Sequence, residues 1–172
     1  HSPAFTQSGG QLHMVQLWVN LPAKDKMTAP GYQAILNTEI AKVEIDNGAA
    51  TARVIAGKFL GARGAAHTFS PMQVVDLAIK AGHAVTLPVH IGWNTALVIL
   101  SGKAQINHAH PAHEAQLVVF SQEGDALLIE AKEDVKALLL SGQPLNEPIV
   151  GHGPFVMNTM EEIKQAFVDF QS

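Results

Sequence analysis

Short apolar runs rich in Val, Ile, Leu and Thr recur along this chain, and residues that favour turns separate them. Runs of this length and composition are typical of β-strands, and Gly, Pro, Asn and Asp end them. Their even spacing favours an antiparallel sandwich or barrel over alternating strand and helix units, so the sequence predicts an all-β fold. The predicted strands are Leu12–Leu21, Ala50–Ala56, Met72–Ile79, Ala84–Leu87, Thr95–Leu100, Ala104–Asn107, Ala115–Phe120, Asp125–Ile129 and Val135–Leu140, with a short extended piece at Ile40–Val43.

Two local motifs add a turn and a helix to this pattern. Asn47-Gly48 is a strong hairpin signal, because both residues tolerate the positive φ angles of a tight turn. Near the C-terminus, Thr159 and Glu162 have the spacing of a capping box, and apolar residues follow at helical intervals. These features predict one sizeable helix, near Glu161–Phe170. Before it, Phe155 and Met157 are expected to anchor a C-terminal arm, and His152 to stabilise its backbone.

Composition excludes several classes of function. The chain has 172 residues, 47% of them hydrophobic and 15% charged, which suits one packed core and argues against disorder. With 11 Lys and Arg against 15 Asp and Glu, and no long basic run, we expect neither nucleic acid nor a membrane surface as partner. The absence of Cys fits a reducing compartment, so the predicted location is cytoplasmic.

Nine His residues are available for metal chemistry, and three of them lie close together in the sequence. His108, His110 and His113 are followed by Glu114, a set that suggests a metal site. Pro111 interrupts the cluster, and a structural or catalytic metal needs three or four converging ligands. We therefore expect this segment to be a solvated hairpin loop.

A second pattern has the spacing of a cupin metal-binding motif. Gly82, His90 and Gly102 match its frame, in which a His-x-His pair and a Glu bind the metal. Pro88 stands at the first His position and Thr95 at the Glu position. Proline has no ligand atom and threonine is a poor ligand for a divalent transition metal, so His90 alone remains. This motif therefore predicts no metal site.

The second cupin motif is degenerate as well. Its frame begins at Gly124, and it places Glu130 where Pro is expected and Val135 where the last His is expected. We therefore expect the barrel between Gly82 and Ile129 to hold no transition metal.

Three further segments have a distinctive sequence: Leu12–Pro22 with Lys26-Met27 and Tyr32-Gln33, Arg53–Gly57, and Pro144–Pro148 with Gly151–Thr159. These segments resemble the pirin family of bicupins, which are proteins with two cupin domains. The C-terminal segment is the most specific, and the resemblance runs in order from His1 to Asp169.

The resemblance implies a cupin-type double-stranded β-helix, or jelly-roll barrel. In the family a first barrel binds one metal, usually iron or another divalent ion, through three His and one Glu. His1 matches the third His ligand, whereas Pro3 occupies the Glu position. We therefore expect the rear half of a longer pirin-like protein. Its expected parts are a remnant of the first barrel with a connector (1–45), the C-terminal barrel (46–150), and an arm with a helix (151–172).

Two functions follow as expectations. In the first, the chain is a non-catalytic binding or regulatory module without a metal of its own and without catalytic residues. In the second, the full-length protein is a metal-dependent oxidoreductase like quercetin 2,3-dioxygenase, acting on a flavonol-like small molecule. Metal catalysis does not survive the loss of most ligands, which favours the first reading for this chain. The Leu12–Leu21 strand, without its barrel, is expected to bind a protein partner or a second copy.

Overall fold

A computed structural model describes residues 3–10 and 13–171. These residues form mainly β-structure, and none of their helices is long and apolar enough to cross a membrane. The strands are β1 (Ala41–Ile45), β2 (Ala50–Ala56), β3 (Lys58–Phe59), β4 (Ala62–Arg63), β5 (Met72–Ile79), β6 (Ala84–Pro88), β7 (Asn94–Ser101), β8 (Lys103–Ile106), β9 (His110–His113), β10 (Leu117–Val119), β11 (Ala126–Ala131), β12 (Val135–Gly142), β13 (Val150–His152) and β14 (Phe155–Met157). The helices are α1 (Pro3–Ser8) and α2 (Met160–Gln171), with single 3-10 turns at Ala23–Asp25, Asn37–Glu39 and Asp46–Gly48.

Ten strands form two antiparallel sheets that pack face to face. The larger sheet has the order β1-β2-β5-β12-β7-β10, and the smaller has the order β6-β11-β8-β9. Apolar side chains from both sheets form one continuous core between them. The remaining strands form two short hairpins, β3–β4 and β13–β14. The predicted all-β, cupin-type fold with a short C-terminal helix is confirmed, as a sandwich whose two sheets remain separate.

The alternation of side chains explains which residues enter the core. On β5, Val75, Leu77 and Ile79 are buried while the residues between them face outwards. On β12, Ala137 and Leu139 are buried on the same inner face. Successive side chains of a strand point to opposite faces, so one sheet face supplies the core and the other remains an outer surface.

The predicted hairpin at Asn47-Gly48 joins β1 to β2. Asn47 has φ of 55° and Gly48 has φ of 85°, so both adopt the left-handed backbone conformation that this turn requires. The turn sets the register in which Ile45 pairs with Ala50 and Ala41 with Val54. It thereby makes β1, within the range 1–45, an edge strand of the larger sheet.

The predicted strand Leu12–Leu21 is wrong over its described part, residues 13–21, where no strand forms. Instead this segment lies against the outer face of the larger sheet, and Val15, Leu17 and Val19 line a groove there. A strand needs a neighbouring backbone to pair its N–H and C=O groups. Residues 13–21 form no such ladder, and they pair with neither of the two edge strands of that sheet, β1 and β10.

The expectation of a loop through the histidine cluster is also wrong in part. Residues His110–His113 form β9, which pairs with β8 so that Pro111 lies opposite Gln105. Proline cannot donate to a ladder, yet it is tolerated on an edge strand, and β9 is the edge of the smaller sheet. Ala112 is buried in the core, which explains why this short segment folds onto the sandwich.

Helix α2 begins with the predicted capping box. The backbone N–H of Glu162 donates to Thr159 Oγ1 at 3.2 Å, and the N–H of Thr159 donates to Glu162 Oε2 at 2.8 Å. The same carboxylate accepts from the N–H of Asn158 at 2.9 Å. These bonds satisfy donors that the first turn of a helix leaves unpaired.

The arm packs through aromatic rings on this helix. The ring centroid of Phe155 lies 4.9 Å from that of Phe167 and 5.9 Å from that of Phe170, both edge to face. His152 contacts Phe167 with centroids 5.5 Å apart. Phe155 and Met157 are partly buried, so both predicted anchors lie at a packed surface.

Hydrogen bonds also join residues 23–26 to the arm and to the connection that precedes it. The N–H of Ala23 donates to Glu147 Oε2 at 2.7 Å. Lys26 Nζ donates to Asn20 Oδ1 at 2.7 Å and to the carbonyl of Val156 at 3.1 Å. Because Ala23 and Glu147 are 124 residues apart in sequence, and Lys26 and Val156 are 130 apart, these two contacts hold distant parts of the described chain side by side.

Candidate functional site

The residues of the first cupin frame do not converge on one point. Pro88 is exposed at the end of β6, and His90 is exposed beyond it, with its ring 4.2 Å from that of Trp93. Thr95 is buried on the inner face of β7. The first motif therefore leaves one exposed imidazole and one buried hydroxyl.

The Val135 position of the second frame lies far from Thr95 of the first frame. Val135 pairs with Ile79 at the start of β12, whereas the β12 residue opposite Thr95 is Ser141. These two positions are six residues apart along β12, which is about 20 Å at roughly 3.3 Å per residue. Val135 therefore cannot be the structural counterpart of a ligand beside Thr95, and Ser141 takes that place.

Three polar side chains form a buried row across three neighbouring strands of the larger sheet, near one end of each strand. Gln73 on β5 lies opposite Ser141 on β12, and Ser141 lies opposite Thr95 on β7. Their exposed fractions are 5–6%, and they are the buried polar side chains recorded within residues 3–10 and 13–171. All three face inwards, beyond the apolar residues that fill the rest of the inner face. We call this set the polar row.

Hydrogen bonds in the polar row leave one acceptor without a protein partner. Thr95 Oγ1 and Ser141 Oγ are 2.9 Å apart and share one hydrogen bond. Gln73 Nε2 donates to the carbonyl of Lys58 at 2.7 Å and lies 3.4 Å from His90 Nε2. Gln73 Oε1 is buried and has no partner. A buried acceptor of this kind costs about 1–3 kcal/mol when it is left unpaired.

The donor set of the polar row does not fit a transition metal. Two neutral hydroxyls and one carboxamide replace the imidazole and carboxylate groups that iron requires. Across the described ranges, no three His, Cys, Asp or Glu side chains lie close enough together to hold a metal ion. The predicted ligand His1 lies outside the described residues.

The histidine cluster supplies no shared site either. His108 Nδ1 lies 3.2 Å from Glu130 Oε2, and both groups are on the surface of the smaller sheet. His113 Nδ1 lies 3.1 Å from the carbonyl of Glu114. The three imidazoles are exposed, and each recorded contact involves one ring alone.

A cleft of about 700 Å³ opens at the polar row, and all three of its residues line it. Residues 17–20 form one wall, with Trp18 65% exposed. The β12–β13 connection and Val119 with Phe120 form the others. We call this feature the row cleft. It is the place where buried polar groups, exposed aromatic surface and an open volume coincide.

A second groove, of about 810 Å³, lies on the outer face of the larger sheet. Val15, Leu17 and Val19 face it from residues 13–21, and most of its lining is apolar. At its polar end, Arg53 and Asp76 form a partly buried ion pair at 2.6 Å. We call this feature the outer groove.

Sequence reasoning did not identify Gln73 or Ser141. Both were detectable, because strand alternation places Gln73 on the same face as Val75 and Leu77, and Ser141 on the same face as Leu139. A polar residue in phase with core residues is the sequence signal for both positions.

The chain is similar to known proteins in sequence and in fold. Residues 74–172 match the family model described as the pirin C-terminal cupin domain. The chain is 44% identical, over its whole length and 60% of the relative, to the Pseudomonas aeruginosa protein named "Putative quercetin 2,3-dioxygenase". It is 39% identical to mouse pirin, with 93% of this chain and 56% of pirin covered.

Among solved structures, quercetin 2,3-dioxygenase from Acinetobacter baumannii superposes with a TM-score of 0.95 at 46% identity. The match covers 99% of this chain and 59% of that one. This chain thus spans less than two thirds of the length of these relatives. The family model, the relatives and the superposition together show that the chain belongs to the pirin family.

Proposed function

We propose that this chain is a non-catalytic binding or regulatory module of a pirin-like protein. The observation that carries this proposal is the polar row, where neutral hydrogen-bonding groups occupy the inner face near the Thr95 position of the cupin frame. Such groups bind organic molecules through hydrogen bonds, whereas they are poor ligands for iron. The proposed activity of this domain is therefore the binding of organic molecules.

The outer groove supports the proposal of a protein partner. Val15 and Val19 are about half exposed, and Met14 beside them is 76% exposed. Exposed apolar side chains along a groove favour an interaction site. We propose a second copy of the chain as the partner, bound through residues 12–21.

A cytoplasmic location is proposed as well, on the absence of Cys alone.

One alternative has a specific observation in its favour. The names of the P. aeruginosa relative and the A. baumannii structure refer to quercetin 2,3-dioxygenase. Because this chain spans about 60% of those proteins, the alternative assigns a metal-dependent activity on a flavonol-like substrate to a longer protein that includes a first barrel. His1 would be one metal ligand there.

A direct assay tests the non-catalytic assignment of this chain. The purified chain, supplied with Fe(II) and quercetin in air-saturated buffer, is followed by loss of the flavonol absorbance. The A. baumannii enzyme serves as the positive control. We expect no turnover above the rate of buffer with Fe(II). Iron-dependent turnover by the chain itself would overturn the non-catalytic assignment.

A further inference from the structure

We propose that the row cleft binds an uncharged small molecule that combines an apolar body with a hydrogen-bond donor. This inference rests on the proposed binding function and names the class of ligand. Three features of the cleft support it: the unpaired acceptor in the polar row, the apolar and aromatic walls, and the charge of the lining.

The polar row is the reason for expecting a hydrogen-bond donor in the ligand. Gln73 Nε2 is committed to the carbonyl of Lys58, so the side-chain amide cannot rotate its oxygen into that position without losing this bond. Gln73 Oε1 consequently remains a buried acceptor. Thr95 and Ser141 share one hydrogen bond, in which one hydroxyl donates to the other. Because Gln73 Oε1 is buried, a hydroxyl or N–H of a bound molecule would reach it through a small displacement of the Gln73 side chain, and the new bond would recover part of the desolvation cost.

The walls of the row cleft are the reason for expecting an apolar body in the ligand. Trp18 and Val119 line the cleft with 65% and 72% of their surface exposed, and Ile149 does so with 71% exposed. Phe120 adds a second ring deeper in the fold, where it packs against the core. Large apolar groups that converge on one opening lose unfavourable contact with water when a ligand covers them.

The lining charges exclude an anion. Among the described residues that line the row cleft there is no Lys, Arg or His, and Glu147 carries the one formal charge. Glu147 Oε2 already accepts from the N–H of Ala23 and from Asn158 Nδ2. A negatively charged ligand would lose hydration, gain no counter-charge and be repelled by this carboxylate.

A set of fluorescent probes with a common ring system tests these features separately. N-Phenyl-1-naphthylamine is uncharged and has one N–H donor. Its N-methyl derivative lacks the donor, and 1-anilinonaphthalene-8-sulfonate adds an anion. Each is titrated into the folded chain, and the dissociation constant is measured from probe emission. We expect one site for the parent amine, about 2- to 10-fold weaker binding of the N-methyl compound, and about 10-fold or weaker binding of the sulfonate.

Two variants locate the site. Trp18→Ala removes an exposed wall residue and should weaken binding of the amine by about 3- to 10-fold. Tyr32→Ala, which removes a 94% exposed ring outside the cleft, should leave it unchanged. Gln73→Leu should abolish the preference for the amine over its N-methyl derivative. If Gln73→Leu does not fold, as judged by circular dichroism, the probe comparison in the native chain still tests the donor.

The outcomes are distinct from those of the flavonol assay. Equal affinities for the amine and the sulfonate would overturn the ligand class. Identical binding of the amine by the native chain and by Trp18→Ala would overturn the site. Absence of amine binding would overturn the inference as well. In each case the non-catalytic function would stand unless the chain itself consumed quercetin.

Discussion

Thr95 and Ser141 share a 2.9 Å hydrogen bond between neighbouring strands in the interior of the sandwich. Each hydroxyl is the other's recorded protein partner, so loss of one leaves a buried polar group unpaired. The two residues therefore act as a unit in the stability of the fold.

Replacing one member of this pair should destabilise the protein. We expect Ser141→Ala or Thr95→Val to lower the free energy of unfolding by about 1–3 kcal/mol. The double variant should lose less than the sum of the two single losses, because it removes both polar groups. Urea unfolding measures all three. The control is Ser101→Ala, at a partly exposed position on β7, the strand of Thr95. Strictly additive losses in the double variant would contradict the coupling.

The capping box predicts a pH dependence at the start of α2. Hydrogen bonds from the backbone N–H of Asn158, and further bonds from Thr159, hold the pKa of Glu162 below its ordinary value. A carboxyl with a lower pKa in the folded state adds stability above its unfolded pKa and loses it as pH falls through the folded pKa.

Glu162→Gln should remove this acid-sensitive contribution, and Glu161→Gln should preserve it. The measurement is thermal unfolding of each variant from neutral pH into the acid range below the ordinary pKa of Glu. Parallel pH profiles for Glu162→Gln and the native chain would show that the capping carboxylate is not responsible.

Two glycines of the cupin frame should differ in their tolerance of alanine. Gly82 and Gly102 both have positive φ, of 76° and 86°. A Cβ at Gly82 would meet no atom within 4 Å, so Gly82→Ala should cost about 1–2 kcal/mol from backbone strain. A Cβ at Gly102 would lie 2.2 Å from the carbonyl oxygen of Asp134, so its cost should be larger. Comparable unfolding midpoints for the two variants would contradict this difference.

Metal content is predicted to be low at every described position. The exposed histidines retain metal only weakly, since their rings do not converge on one point. A variant with Ala at His108, His110 and His113 should show a metal-to-protein ratio near zero by elemental analysis after incubation with Fe(II) and desalting. About one tightly bound equivalent of iron in that variant would reveal a ligand set elsewhere in the chain.

Self-association through residues 12–21 is tested at the outer groove. Val15 lines this groove but not the row cleft, so Val15→Asp should shift the chain towards monomer without removing the cleft wall. Val168→Asp, at a 61% exposed position on α2, is the matched control. Sedimentation equilibrium gives the molar mass, and a native chain that is monomeric at all concentrations would contradict the proposal.

The amino-acid sequence alone determined the elements whose signals are local. Strands β2 and β5 were predicted with their observed bounds, and the Asn47-Gly48 turn and the Thr159–Glu162 cap were also predicted. Alternation, positive φ and capping hydrogen bonds depend on residues within a few positions of one another, so they can be read from the sequence.

Only the tertiary structure decided that residues 13–21 lie across a sheet instead of pairing within one, and only it brought the residues of the polar row together. An alternating apolar segment has the same pattern whether it pairs in a sheet or lies across one, and pairing depends on a distant backbone. Likewise Gln73 and Ser141 are 68 positions apart in the printed sequence, and they become neighbours only through the register of β5 and β12. Strand order is set by burial in the common core, which no local pattern specifies.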